Sequence, residues 1–201
     1  MKSHTQNIWC VGRNYAAHAK EMKAAVPTTP LFFLKSGNCL NPTSKIQLPL
    51  WSQDIHHEIE IAFLLDESLS FSHVSLGLDL TARDVQESAK KSGQPWTLAK
   101  SFKQACPMGS WISILDIKDL HLLSFTLKKN GAVVQHGSVN DMIFKPAELL
   151  HFVKNHFPVT AHDIVLTGTP EGVGQIQSGD ELEAQLHSEK QLLLTCHWDV
   201  L

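Results

Sequence analysis

Two glutamates lie two residues apart in the clearest strand pattern of the sequence, residues 57–65. Side chains alternate between the faces of a strand, so Glu58 and Glu60 share one face and both carboxylates can reach one cation. The same alternation turns His57 to the opposite face, which makes it a core or supporting histidine. Two like charges in so apolar a stretch need a cation or protonation, unless both acids lie on a solvated edge of a sheet.

A third acid follows in a similar apolar setting. Asp79 stands within Gly77–Gln86, among residues that predict a strand and then a helix. Three carboxylates without a cysteine make a hard oxygen site, which suits Mg²⁺ or Mn²⁺ better than zinc. The sequence therefore predicts that Glu58, Glu60 and Asp79 bind one divalent ion.

A histidine and a glutamate form a second pair that could do chemistry. His18 and Glu21 are three residues apart within a predicted helix, so their side chains are neighbours on its surface. A carboxylate beside an imidazole orients the ring and raises its basicity, which is the arrangement of a general base. The alternative is a weak pair on an exposed, polar helix face.

Strands dominate the elements that must position these side chains. The predicted helices cover 14–23, with Asn14 as the N-cap, 84–91 and 146–155. The predicted strands cover 8–12, 31–34, 46–50, 57–65, 75–80, 111–115, 124–128, 132–135, 164–166, 181–186 and 192–198, with a hairpin turn at Asn130-Gly131. Few helices and no alternation of strand and helix favour an α+β, mainly β fold. We find no repeat or linker, and expect one domain over 1–201.

Composition excludes several classes of protein. The chain has 201 residues, 43% of them hydrophobic and 18% charged, with a formal net charge of −3. This balance argues against disorder, and the absence of a basic block argues against a nucleic-acid partner. The longest purely apolar run, 61–65, is too short to span a bilayer, so we expect no membrane partner. The four cysteines are widely spaced, which predicts reduced thiols in a cytoplasmic protein.

Five segments, taken in order, resemble the fumarylacetoacetate hydrolase family, and the similarity runs from about residue 8 to the end. The segments are Val11–Tyr15 with His18 and Glu21, His57–Glu60, Leu78–Gln86, Gln94–Phe102 and Leu166–Gly174. The chain is similar to the short branch of the family, which includes acylpyruvate hydrolases, oxaloacetate decarboxylases and bacterial dienedioate isomerases. The resemblance implies a mixed β-sandwich roll with a few short helices.

The resemblance also implies roles for individual residues. It implies metal ligation by Glu58, Glu60 and Asp79, water activation by His18 with Glu21, and substrate binding by Arg83, Gln86, Lys100 and Thr169. As a catalytic residue, Lys100 would either place its charge where an enolate forms or support the ligand acids. Arg83 would be a fixed charge near the substrate or a structural bridge to an acid. Lys35 follows its strand as in the family, but Ser36 stands where a proline is frequent, so its role stays open.

These roles predict an enzyme with one Mg²⁺ or Mn²⁺ per subunit that acts on 2-keto acids. The leading prediction is hydrolysis of a C–C bond in acylpyruvates, giving pyruvate and a carboxylic acid. The alternatives on the same metal site are oxaloacetate decarboxylase and 2-hydroxyhepta-2,4-diene-1,7-dioate isomerase, because all three reactions stabilise an enolate. A ligand-binding β-domain with surface acids is the alternative of another class. The resemblance further implies a homodimer.

Overall fold

The computed structural model of the protein describes residues 5–201. Its helices are α1 (Ala16–Glu21), α2 (Arg83–Ser92), α3 (Thr97–Lys100) and α4 (Pro146–His156). Its strands are β1 (Asn7–Gly12), β2 (Leu31–Ser36), β3 (Leu40–Asn41), β4 (Lys45–Ile46), β5 (Ile55–His57), β6 (Ile59–Leu65), β7 (Phe71–Leu78), β8 (Thr81–Ala82), β9 (Cys106–Pro107), β10 (Ile112–Ser113), β11 (Leu123–Lys129), β12 (Ala132–Ser138), β13 (Ile164–Leu166), β14 (Gly174–Gln175), β15 (Glu181–Ser188) and β16 (Gln191–Val200). The predominance of strands confirms the predicted α+β, mainly β class.

Two large sheets pack face to face. The first has the strand order β10-β7-β6-β13-β1-β2 and the second the order β12-β11-β15-β16-β4. Both are mixed, since β1 runs parallel to β13 and β16 runs parallel to β4. One hydrophobic cluster joins the sheets and includes Leu76 of the first with Phe125 and Leu186 of the second. Two small sheets, β14-β5-β8 and β3-β9, lie beside them.

The middle of the first sheet is buried on both faces. In β1, Ile8 and Cys10 belong to the core between the sheets, whereas Trp9 belongs to a second cluster with Val153 of α4. Trp9 also stacks on Phe157 just after α4, with ring centroids 4.8 Å apart. A strand buried on both faces reads as a continuous apolar run, which is why 8–12 was recognisable in the sequence.

Helix α4 begins where its sequence signals indicate. Pro146 occupies the first turn, where its missing N–H costs nothing. The backbone N–H of Lys145 donates to the carboxylate of Glu148 at 2.7 Å, as in a capping box. Leu149 and Val153 are buried one turn apart. The predicted helix over 146–155 is confirmed to within one residue. None of the helices within 5–201 has the length and hydropathy of a bilayer-spanning segment.

The predicted first helix, 14–23, is too long. Helix α1 starts at Ala16, and Asn14 is not its N-cap. The amide of Asn14 instead donates to the carbonyl oxygens of Thr167 at 2.8 Å and Phe144 at 2.9 Å. Asn14 therefore ties the β1–α1 loop to the end of β13, because long-range carbonyls offered it better partners than the local helix.

Two strands that carry acids also differ from prediction. The strand predicted over 57–65 breaks at Glu58 into β5 and β6. The break arises because the N–H of Ile59 donates to the side chain of Gln135 at 3.2 Å. The strand predicted over 75–80 ends at the residue before Asp79, so this acid lies beyond the strand and not inside it.

The other corrections lie away from these acids. Of the strand predicted over 46–50, only Ile46 pairs, together with Lys45 before it. Pro49 lacks the N–H that a ladder requires. Only Ile112–Ser113 of 111–115 pair, because Ser113 accepts a bond from the N–H of Leu115 and starts a 3-10 turn. The Asn130-Gly131 hairpin is confirmed, with φ of 52° and 80°. All four cysteines are free and buried, as expected.

Candidate active site and metal centre

The three predicted acids converge on one point. Glu58 lies at the break between β5 and β6, Glu60 lies in β6, and Asp79 follows β7. The N–H of Asp79 donates to the carbonyl oxygen of Glu58 at 2.8 Å, which fixes the two backbones together. One carboxylate oxygen from each acid lies within 4.8 Å of the others, and all three residues are buried. We call Glu58, Glu60 and Asp79 the acidic triad.

Three buried cations accompany the acidic triad. The Nζ of Lys100 donates to Glu58 at 2.8 Å and to Asp79 at 2.5 Å. The guanidinium of Arg83 also donates to Glu58, and the Nζ of Lys35 lies 2.8 Å from Asp79. Arg83 thus forms a bridge to an acid, which is one of the two roles predicted for it. When all three acids are ionised, their charges and those of the three cations cancel.

Glu60 is the one acid of the triad without a cation partner among residues 5–201. Its Oε2 accepts the N–H of Gly168 at 2.6 Å. Burial, together with the charges of Asp79 and Glu58, raises the pKa of Glu60 well above its usual range. Burial also acts to raise the pKa of Glu58, but the charges of Lys100 and Arg83 outweigh it and lower that pKa.

The donor set of the acidic triad fits Mg²⁺ or Mn²⁺. All three donors are carboxylate oxygens, which are the ligands that these ions prefer. Oδ1 of Asp79 is buried without a hydrogen-bond donor, although Lys35 lies beside it. A divalent ion would satisfy that oxygen and give Glu60 the cation partner that it lacks.

Magnesium affinity should rise with pH. At low pH the raised pKa of Glu60 keeps this carboxyl protonated, and an ion must displace that proton to bind. Above the pKa the carboxylate is already free, so the pH dependence should level off. Titration calorimetry with Mg²⁺ from about pH 5 to about pH 8, in buffers of different ionisation enthalpy, measures affinity and proton release together. An affinity that does not change with pH would contradict this.

Lys35, whose role the sequence left open, connects the parts of this centre. It is fully buried, and its Nζ donates to the carbonyl oxygens of Leu80 and Ala105, each at 3.0 Å, and to that of Lys100. It thereby joins β2 to the segments that carry Asp79 and Lys100. Lys35 is a positioning residue, since its contacts go to backbone and to a ligand acid.

His18 and Glu21 form a hydrogen-bonded pair at 3.0 Å, Nδ1 to Oε2. His18 is buried, with 6% of its surface exposed, whereas Glu21 is exposed, so only the carboxylate of the pair faces solvent. The other oxygen of Glu21 accepts the N–H of Gly172 at 3.0 Å. Gly172 has φ of 91°, and a Cβ there would collide with the carbonyl oxygen of Val134, so only glycine can hold this position.

The turn after β13 explains one of the sequence segments quoted above. Within a few residues it supplies the Gly168 N–H to Glu60, the Thr169 hydroxyl and the Gly172 N–H to Glu21. The amide of Gln135 holds this turn by donating to Thr169 at 2.8 Å. Its oxygen, 2.9 Å from Nδ1 of His57, keeps that histidine away from the triad. Burial lowers the pKa of His57. The sequence offered no local signal for Gln135, because its partners are distant along the chain.

A cavity of about 360 Å³ opens above the acidic triad. It is lined by the triad and by every other predicted site residue except Glu21, namely His18, Arg83, Gln86, Lys100 and Thr169. Glu21 lies outside the lining and reaches the cavity through His18. Arg13, Lys90 and Trp96 also line the cavity, although the sequence analysis gave them no role. Lys90 could have been predicted from the sequence, since it lies seven residues after Arg83 and therefore on the same face of the helix.

Known proteins are similar to this chain over most of their length. The human protein named oxaloacetate tautomerase FAHD1, mitochondrial, is 41% identical over 193 residues, which cover 90% of this chain and 87% of that protein. A Dictyostelium discoideum protein named oxaloacetate decarboxylase, mitochondrial, is 37% identical over 190 residues, covering 89% and 87%. The crystal structure of fumarylpyruvate hydrolase from Pseudomonas aeruginosa, in complex with Mn²⁺ and pyruvate, has a TM-score of 0.90 at 27% identity, covering 98% of this chain and 90% of that one.

The family match extends over nearly the whole chain. Residues 7–195 match the family described as fumarylacetoacetate (FAA) hydrolase C-terminal. The five segments recognised in the sequence all lie inside this range, and the observed sheets agree with the fold that they implied. The chain therefore belongs to the fumarylacetoacetate hydrolase family.

Proposed function

We propose that this chain interconverts the keto and enol forms of oxaloacetate at a site that holds Mg²⁺ or Mn²⁺. The observation that carries the proposal is that a buried histidine, hydrogen-bonded to Glu21, and the acidic triad line one small cavity. The names of the human and Dictyostelium relatives favour oxaloacetate over the acylpyruvates that the sequence analysis put first. Among its alternatives, oxaloacetate was the substrate of a decarboxylase and not of a tautomerase.

The proton transfer is assigned to His18. When bound by the triad, a divalent ion would act as a Lewis acid and stabilise the negative charge that develops on the 2-oxygen of the substrate. His18 donates Nδ1–H to Glu21, which leaves Nε2 as the base. As the C3–H bond breaks, the proton moves to Nε2, and it then returns to the 2-oxygen to give the enol. Glu21 stabilises the imidazolium in between.

The charge of the site supports a dicarboxylate. With Glu60 ionised, the charges of the acidic triad and of its three cations cancel, so a divalent ion, together with Arg13 and Lys90 of the lining, would make the cavity positive. Oxaloacetate brings two carboxylates to offset this positive charge, which matters because unbalanced charge is costly at a buried site. An acylpyruvate with an uncharged acyl chain brings only one.

The remaining residues of the site orient the substrate or support the acidic triad. The Nζ of Lys100 donates to Glu58, Asp79 and, at 2.6 Å, to the hydroxyl of Thr81, which uses all of its protons. We therefore assign Lys100 to supporting the ligand acids, one of its two predicted roles. Arg83 donates to Gln86 at 2.7 Å, and both side chains are available to orient a substrate carboxylate.

Decarboxylation of oxaloacetate is a second candidate on the same site. Loss of CO₂ from C4 develops the same charge on the 2-oxygen and needs no base. Hydrolysis of an acylpyruvate would need His18 to activate water. The test below includes that reaction because the similar Pseudomonas protein is named as a hydrolase.

The proposal is tested by following three reactions with Mg²⁺-loaded protein. We expect the decay of enol-oxaloacetate absorbance to be accelerated far more than CO₂ release from oxaloacetate or pyruvate release from acetylpyruvate. Protein stripped of metal by a chelator is the control and should be inactive. Fast pyruvate release from acetylpyruvate without any effect on the enol would overturn the proposal and favour the hydrolase.

Assembly and location remain proposals. We propose a homodimer, in keeping with the exposed apolar side chains of Leu50, Leu98 and Leu115. Light scattering at micromolar concentration tests it, and a monomer would contradict it. A cytoplasmic location rests on the four free cysteines. The word mitochondrial in the relatives' names makes the mitochondrion the alternative.

A further inference from the structure

One face of α2 carries three polar side chains into the cavity. Arg83, Gln86 and Lys90 are spaced three and four residues apart, which brings them onto the same side of the helix. All three line the cavity. Arg83 and Gln86 bind each other, and Arg83 also pairs with Glu58. Lys90 lies one turn further along α2 and makes no ion pair with an acid within 5–201.

Lys90 is held by an aromatic ring in a positively charged environment. Its Nζ lies 5.3 Å from the ring centroid of Trp96, which also lines the cavity. Partial burial and the charges of Arg83 and Lys100 lower the pKa of Lys90, and the charge of Arg13 acts in the same direction. Lys90 therefore lies near other cations and pairs with no acid among residues 5–201, so it is available to bind an anionic group of a ligand.

Arg13 is the second such cation. It follows β1, lines the same cavity, and its guanidinium has neither a hydrogen bond nor an ion pair to any residue from 5 to 201. Its φ is 58°, a left-handed conformation that residues with a Cβ rarely adopt. Such conformations persist where the surrounding structure enforces them, often at binding sites.

We propose that Lys90 and Arg13 form a subsite for the distal carboxylate of a four-carbon 2-keto dicarboxylate. This inference rests on the proposed function and deepens it by assigning the residues that select a dicarboxylate. The triad region and Arg83 serve the 2-keto acid end of the substrate. The two unpaired cations belong to the rest of the cavity, where the other carboxylate must lie.

The subsite also bears on the choice between reactions. Loss of CO₂ removes the negative charge from C4, so cations beside C4 stabilise the reactant more than the transition state. Tautomerisation leaves the C4 carboxylate charged throughout. Lys90 and Arg13 therefore favour proton transfer over decarboxylation while they tighten binding.

The subsite is tested by binding of two unreactive ligands to the Mg²⁺-loaded protein. Malate carries the distal carboxylate, and 2-hydroxybutyrate has a methyl group in its place; both keep the carboxylate and 2-oxygen that a metal chelates. By titration calorimetry, Lys90→Met should weaken malate binding by about 10- to 100-fold, as expected for losing a hydrogen bond between charged groups. Binding of 2-hydroxybutyrate should not change.

Lys91→Met is the matched control, because Lys91 is, like Lys90, an exposed residue of α2 but does not line the cavity. It should leave both ligands unaffected. Arg13→Met is the second variant and should also weaken malate selectively. Equal loss of both ligands in Lys90→Met and Arg13→Met, or no loss in either, would overturn the subsite.

The wild-type protein separates this inference from the proposed function. If it binds malate no better than 2-hydroxybutyrate, the subsite is wrong even where oxaloacetate is turned over. If it prefers malate, and Lys90→Met removes that preference, the subsite stands even where the enol assay fails.

Discussion

Glu60→Gln should abolish turnover, by at least about 10³-fold, without destabilising the metal-free protein. The activity is lost because the acidic triad loses a ligand and the Lewis acid with it. The fold survives because Glu60 is the triad acid without a buried cation, so its ionised form opposes folding. Glutamine can still accept the N–H of Gly168. The measurements are Mg²⁺ affinity by calorimetry and melting temperature with and without Mg²⁺.

Asp79→Asn is the informative comparison. It should also lose metal and activity, but in addition it leaves Lys35 and Lys100 with one buried partner fewer. Breaking a buried ion pair from one side costs roughly 3–5 kcal/mol, so this variant should melt well below the metal-free wild type. Glu60→Gln that still bound Mg²⁺ with wild-type affinity would remove the metal assignment.

The pH dependence of stability tests the environment of Glu60 in a second way. A carboxyl whose pKa is raised on folding stabilises the protein below its unfolded pKa and loses that contribution as pH rises through the folded pKa. Metal-free wild type should therefore lose stability as pH rises through that window, and Glu60→Gln should lack this component. Added Mg²⁺ should restore the wild type most strongly at the high-pH end, where no proton competes.

Features that depend on residues close together in the sequence could be predicted from it. The apolar runs of β1 and β13 are buried on both faces, so they were recognisable without any partner in view. Glu58, Glu60 and Asp79 were recognisable because acids in apolar surroundings need compensation. The His18–Glu21 spacing is a property of one helix turn and survives in α1, although that helix is shorter than predicted.

What the sequence could not reveal depends on contacts between distant segments. Lys35 neutralises Asp79 from across the sheet, and Gln135 breaks the strand at Glu58 from another sheet altogether. Both are single polar residues without a local pattern. Lys90 differs, because its helical spacing from Arg83 was visible. Its meaning emerged only once the cavity showed which cations already had acid partners.

His18→Gln should reduce tautomerisation of oxaloacetate by about 10²–10⁴-fold, the usual contribution of a general base. Its Nε2 is the only assigned proton acceptor, and an amide cannot replace it. Glu21→Gln should cost less, because the imidazole remains, although the single oxygen of glutamine can replace only one of the two carboxylate oxygens that accept the N–H of Gly172 and the Nδ1–H of His18. It removes the charge that stabilises the imidazolium and one of these two acceptors. Lys20→Gln, an exposed change on the same helix, is the control and should have no effect.

The three candidate reactions respond differently to loss of His18. Decarboxylation needs the metal and the charge on the 2-oxygen but no base, so His18→Gln should retain much more of it than of tautomerisation. Acylpyruvate hydrolysis needs an activated water and should fall together with tautomerisation. Glu60→Gln should eliminate all three, because the acidic triad serves every 2-keto acid. Equal losses of tautomerisation and decarboxylation in His18→Gln would mean that the histidine shapes the cavity and moves no proton, and the assignment of His18 as the base would then be wrong.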